Sequence, residues 1–272
     1  MAQQENDIWK TKVNGVEIAC RFDGPEGAHV VMISNSLMSD HTMWDITIPA
    51  LTDRYRVLRY DTRGHGRSGV TPGPYSIAML ADDAIGLIDQ LGIQRVHFVG
   101  LSMGGMIAQQ IGARFPDRVY SLSLCDTASE MPPRSVWEER FAIALKQGLE
   151  GLVDSTLQRW FTATFIAHDP QSVEKVRRMI LRTPVEGYIA CGSAVRDMAQ
   201  TTMLLQVKAP TLILVGRQDP SCTVDQSTVI HRMIDGSEMI VLENAAHLSN
   251  IEQSRVFNST LRAFIDRVDD AL

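Results

Sequence analysis

Val96-His97-Phe98-Val99-Gly100-Leu101-Ser102-Met103-Gly104-Gly105 is the stretch of this 272-residue chain whose reading decides the fold. The apolar run Val96–Val99 reads as a strand. A helical pattern, Met103 to Phe115, starts at once beyond Ser102 and is ended by Pro116. Between them Gly100-Leu101-Ser102-Met103-Gly104 matches Gly-x-Ser-x-Gly. In that pattern the serine sits on a tight strand-to-helix turn with a strained backbone, and the glycines leave room for neighbouring strand and helix. Its hydroxyl then projects beyond the sheet, at a helix N-terminus whose dipole favours developing negative charge. Ser102 is therefore read as a nucleophile; the alternative is a plain βα turn.

The flanking sequence repeats the strand–helix alternation. Residues 8–22 read as a hairpin about Asn14-Gly15, with Val16, Ile18, Cys20 and Phe22 alternating along one face. Val30–Ile33 and Tyr55–Tyr60 are the next strands. Ile77, Leu80, Ala81, Ala84, Ile85, Leu87, Ile88 and Leu91 have helical spacing, stopped by Gly92. Ser121–Cys125 is a strand. Thr211–Val215 has no polar alternation and predicts a strand buried on both faces. Glu238–Leu242 is the last strand, and residues 250–268 form a final helix. The expected class is α/β: a mostly parallel central sheet with helices on both faces.

Residues 131–206 break the alternation. They hold helix-like apolar spacing but no clear strand, open at Pro132-Pro133, and are followed by Ala209-Pro210. The reading is a core of residues 1–130 and 207–272, with residues 131–206 inserted between two strands as a helical lid. Nine Lys or Arg against eight Asp or Glu give the insert +1, where the whole chain carries −6. This hints at an anionic substrate under the lid.

A serine nucleophile needs a base, and the base needs a carboxylate to orient it. His247 lies in the loop after the last strand, at the sheet edge where open α/β sheets bind ligands. His29 and His97 border or lie in strands and read as packing residues. His41 and His65 follow early strands, His168 is in the lid, and His231 falls in a helical pattern. Two acids end up at the right edge. Asp219 follows Thr211–Val215, and Asp126 follows Ser121–Cys125. Asp219 is favoured because its strand-loop-acid unit comes just before the histidine, in the chain order Ser…acid…His. The oxyanion of a tetrahedral intermediate needs two N–H donors. One is the backbone of Met103. Aligning the loop after Val30–Ile33 by Trp44 makes Leu37 the other.

Bulk properties narrow the partners. Hydrophobic residues make up 44% and charged residues 21% of the chain, as expected of a packed globular protein. The net charge of −6 argues against nucleic-acid or anionic-membrane binding. The polar start Met1–Asp7 does not read as a secretory leader, and no apolar stretch reaches bilayer length. Cys20, Cys125, Cys191 and Cys222 are widely spaced, which suits reduced thiols in a cytoplasm. No His-Glu-x-x-His pattern appears, and the chemistry needs neither metal nor organic cofactor.

These segments resemble the α/β-hydrolase superfamily over essentially the whole chain, and within it the 3-oxoadipate enol-lactonases of aromatic catabolism. Arg59–Gly66 and Gly100–Gly105 are similar to superfamily-wide motifs. Ser34-Asn35-Ser36-Leu37, Arg159-Trp160-Phe161-Thr162, Glu186-Gly187-Tyr188 and Ala246–Glu252 carry the narrower resemblance. Met38 stands where that family usually has glycine, Ala199 where its lid often has an acid, and no proline follows Thr223. The resemblance implies hydrolysis of a small carboxylated lactone through an acyl-enzyme. Arg134 and Arg159 are candidates for the substrate carboxylate, and Trp137 and Trp160 for an apolar wall. The competing readings are a general carboxylesterase or perhydrolase using the same residues, and a non-catalytic small-molecule receptor.

Overall fold

The computed structural model describes residues 8–131 and 133–272. Met1–Asp7, read above as lacking a leader, and Pro132, read as opening the insert, lie outside the described residues. Among those residues eight strands form one sheet, in the order β1-β2-β4-β3-β5-β6-β7-β8. β1 (Trp9–Val13) and β2 (Val16–Asp23) make the hairpin about Asn14-Gly15, both at positive φ. β2 pairs antiparallel with β4 (Arg56–Tyr60). All later pairings are parallel: β3 (Val30–Ser34), β5 (Val96–Leu101), β6 (Val119–Cys125), β7 (Thr211–Gly216) and β8 (Glu238–Leu242). β7 is buried along its full length, as its unbroken apolar run predicts.

α1 (Ile77–Gln90) buries the predicted stripe and is capped by the Ser76 hydroxyl, which accepts from the Met79 amide. α2 (Met103–Arg114) packs on α1, β5 and β6. Between β6 and β7 come α3 (Arg134–Gln147), α4 (Glu150–Trp160), α5 (Ala163–His168), α6 (Pro170–Leu181) and α7 (Val185–Arg196). α8 (Val224–Met233) starts with a capping box between Thr223 and Gln226. The single predicted C-terminal helix is two: α9 (Ser249–Glu252) and α10 (Ser254–Asp269), parted at Gln253. The break comes where the Glu252 carboxylate turns back to accept from the Ala246 and Thr162 amides at 2.9 and 3.2 Å. The four cysteines are buried and free. No helix among the described residues is long and apolar enough to cross a membrane.

Candidate active site

The parallel order brings the C-terminal ends of β3, β5, β6, β7 and β8 to one rim. β5 delivers Ser102 there with φ +56° and ψ −115°, a backbone conformation that side-chain-bearing residues avoid. Two close approaches require glycine. A Cβ on Gly100 would lie 2.1 Å from the Gly104 carbonyl oxygen, and one on Gly104 would lie 2.2 Å from that of Ser34. The turn is held by the Ser102 amide donating to the Cys125 carbonyl (2.9 Å) and the Thr127 hydroxyl donating to the Ser102 carbonyl (2.8 Å).

His247 reaches the rim from the loop after β8. That loop is pinned by the Gln218 amide on the Ala245 carbonyl (2.9 Å) and by the Leu248 amide on the Trp160 carbonyl (3.0 Å). Nδ1 of His247 is 2.7 Å from Oδ2 of Asp219. The other carboxylate oxygen, Oδ1, accepts from the Ser221 and Cys222 amides at 2.7 and 3.1 Å. A carboxylate cannot donate, so Nδ1 carries the proton and Nε2 keeps its lone pair. Burial disfavours the imidazolium, but the charge and hydrogen bond of Asp219 outweigh it and hold His247 above the ordinary imidazole range.

Asp126, the other acid weighed from sequence, is fully buried one strand away. Its Oδ1 accepts from the Gly216 amide at 2.8 Å, and its Oδ2 is 2.5 Å from the Ser249 hydroxyl. Burial, reinforced by the nearby Asp219 charge, pushes it up to about 8. It braces β7 and α9, while Asp219 meets the imidazole.

Ser102 and His247 open into a cavity of about 440 Å³, roofed by the helices between β6 and β7. Leu37, Trp137, Arg159 and Trp160 line it. Arg134 does not. Its guanidinium lies on the surface, 2.5 Å from Asp197 at the end of α7. Arg140, further along α3, takes its place in the cavity. Its guanidinium sits 5.5 Å from the centre of the Trp137 ring, and its Nε donates to the Tyr188 hydroxyl at 3.1 Å. Helical spacing of Trp137 and Arg140, three residues apart on one face, was the available signal. Arg159 donates to the Thr156 hydroxyl at 3.3 Å. Burial and the neighbouring Arg140 charge push it down to about 10. Among the described residues, neither Arg140 nor Arg159 has a carboxylate partner.

The loop after β3 is ordered from both sides. Asn35 donates to the Tyr60 carbonyl (2.7 Å) and accepts from the Trp44 indole (3.0 Å). The Ser36 amide donates to the Met43 sulfur at 3.3 Å. Met38 has φ +63°, the conformation a glycine would favour, and it lines the cavity. Four of the other histidines are engaged elsewhere: His97 with Ser121 and Asp269, His29 with Asp269, His41 with Asp61 and His231 with Ser237.

A family model described as "alpha/beta hydrolase fold" matches residues 29–254. The chain is 36% identical to 3-oxoadipate enol-lactonase 2 of Acinetobacter baylyi over 87% of its length and 88% of that protein's. It is 33% identical to 3-oxoadipate enol-lactonase 1 of the same organism, covering 97% and 98% respectively. The crystal structure of the enol-lactonase from Burkholderia xenovorans superposes with a TM-score of 0.93 at 37% identity, covering 94% of this chain and 99% of that one.

Proposed function

The chain belongs to the α/β-hydrolase family, and from that premise we propose that it opens a small carboxylated enol-lactone, 3-oxoadipate enol-lactone, to 3-oxoadipate through an acyl-enzyme on Ser102. One observation carries the anionic part of this reading. Two guanidiniums with no carboxylate partner among the described residues share the cavity of Ser102 and His247. A cation drawn partly out of water without a partner is unfavourable unless a bound ligand supplies the anion. Arg140 and Arg159 are suited to that task through charge-assisted hydrogen bonds. Trp137 and Trp160 supply the apolar walls, and residues 131–206 act as the lid that excludes water.

Nε2 of His247 takes the Ser102 proton as Oγ attacks the lactone carbonyl. The oxyanion is held by the Leu37 and Met103 amides. No described residue accepts from the Leu37 amide, and the first amides of a helix have no intrahelical partner. When the tetrahedral intermediate collapses, the ring C–O bond breaks. The departing enol oxygen takes the proton from His247, and the enol becomes a ketone. Water, deprotonated by His247, then cleaves the acyl-enzyme and restores the Ser102 hydroxyl. Asp219 stays ionised throughout and stabilises the imidazolium.

Turnover of the lactone against p-nitrophenyl acetate tests the substrate assignment. Arg140→Ala or Arg159→Ala should lower kcat/KM for the lactone by about 10- to 100-fold, mainly through KM. The neutral ester should be affected by less than about threefold. Equal losses on both substrates, or a large preference of the native enzyme for the neutral ester, would refute the carboxylate-binding role.

The base must be neutral to work, so kcat/KM should fall as pH drops through the pKa of His247. Because that pKa is raised, the acid-limb midpoint should lie above the ordinary imidazole value of 6.5. Asp219→Asn removes the raising charge and should shift the limb of the residual activity to lower pH. A limb that does not move would mean that another group titrates.

A further inference from the structure

His65 is buried directly beneath the loop after β3, and the lactonase mechanism leaves it without a task. Its Nε2 lies 3.0 Å from the Met38 amide nitrogen, and its Nδ1 lies 3.4 Å from the Arg63 carbonyl oxygen. The amide can only donate, so Nε2 must be the accepting nitrogen and the proton must sit on Nδ1. Burial pushes the imidazole down to about 4, which keeps Nε2 free to accept at neutral pH.

Three successive amides are then distinguished by their partners. The Ser36 amide donates to the Met43 sulfur, and the Met38 amide donates to His65. The Leu37 amide between them finds no acceptor among the described residues. Met38 is a side-chain-bearing residue in the left-handed region, a conformation that persists only where the surroundings enforce it. The imidazole holds the Met38 amide itself, and the Ser39 hydroxyl braces the same turn by donating to the Ser36 carbonyl at 2.6 Å. His65 is itself backed by α7. A Cβ on its neighbour Gly64 would come within 2.9 Å of Gly187 Cα, and the Cys191 thiol donates to the Arg63 carbonyl at 3.3 Å.

We propose that His65 is the positioning residue of the oxyanion loop: by holding the Met38 amide it aims the Leu37 N–H at the carbonyl oxygen of an ester bound over Ser102. The proposal rests on the hydrolase reading given above. His65 touches no reacting atom. It works by denying the Met38 amide to the substrate and by fixing the direction of the one beside it. A donor displaced by about 1 Å can cost about 100-fold in rate.

The test compares His65→Leu, which lacks an acceptor, with His65→Gln, whose amide oxygen can replace Nε2. For His65→Leu, kcat/KM for p-nitrophenyl acetate should fall about 10- to 100-fold. Affinity for phenylboronic acid, which forms a tetrahedral adduct on the serine, should fall by the same factor. His65→Gln should recover most of both. Hydrogen exchange of residues 36–39 should accelerate in His65→Leu and not in His65→Gln. A His65→Leu enzyme within twofold of native in turnover and boronate affinity would overturn the proposal. So would equal losses in the two variants, or unchanged exchange in the loop. If the native protein cleaves no ester and takes no fluorophosphonate, the hydrolase reading fails by itself. The exchange measurement still decides whether His65 holds the loop.

Discussion

Ser102→Ala should abolish turnover, lowering kcat by about 10⁶-fold, and should leave the fold intact. The Ser102 side chain makes no hydrogen bond within the described residues, so removing Oγ strands no buried partner. The turn depends on the Ser102 backbone, through Cys125 and Thr127, and the alanine keeps both contacts. A fluorophosphonate should label the native protein and fail to label the variant. Ser102→Gly separates chemistry from strain. It should be equally inactive, yet more stable than the alanine variant by about 1–3 kcal/mol, because glycine adopts φ +56° without a Cβ penalty. Urea denaturation of the two variants measures this difference. Labelling that survives in Ser102→Ala would remove Ser102 from the mechanism. Equal stability of the two variants would remove the strain.

Asp219→Asn should lower kcat by about 10⁴-fold, while Asp126→Asn should stay within about threefold of native. The difference follows from what each oxygen meets. Oδ2 of Asp219 faces Nδ1 of His247. An amide NH₂ placed there would demand a lone pair on Nδ1, driving the proton to Nε2 and removing the base. The oxygen of the substituted side chain could still accept from the Ser221 and Cys222 amides, so the loop should survive. At residue 126 an asparagine oxygen replaces the acceptor for Gly216, and its NH₂ can donate to Ser249, whose hydroxyl can turn to accept. Steady-state kinetics with melting curves for each variant decide the matter. A crippled Asp126→Asn with a working Asp219→Asn would move the orienting acid to β6.

Local pattern explains how much could be read in advance. Apolar runs of strand length, helical spacing in α1 and the glycines around Ser102 are short-range signals. Each reflects a backbone requirement met within a few residues. The final helix was legible as a helix but not as two, because its interruption serves a contact between Glu252 and the distant Thr162. Arg134 and Arg140 carry the same charge on the same helix. Arg134 opens the helix and pairs with Asp197 just past α7, whereas Arg140, six residues on and on another face, lines the cavity.

From the chain alone came the α/β class, the strand-serine-helix turn and the histidine loop, since these depend on periodicity and on glycine's freedom near in sequence. The chain favoured Asp219 over Asp126, but tertiary structure showed that its carboxylate meets His247, which arginines line the Ser102 cavity without a carboxylate partner among the described residues, and that His65 lies under the Met38 amide. Those relations join residues from 27 to 57 positions apart. Packing, acting through distances and burial, determines them, and no local repeat records it.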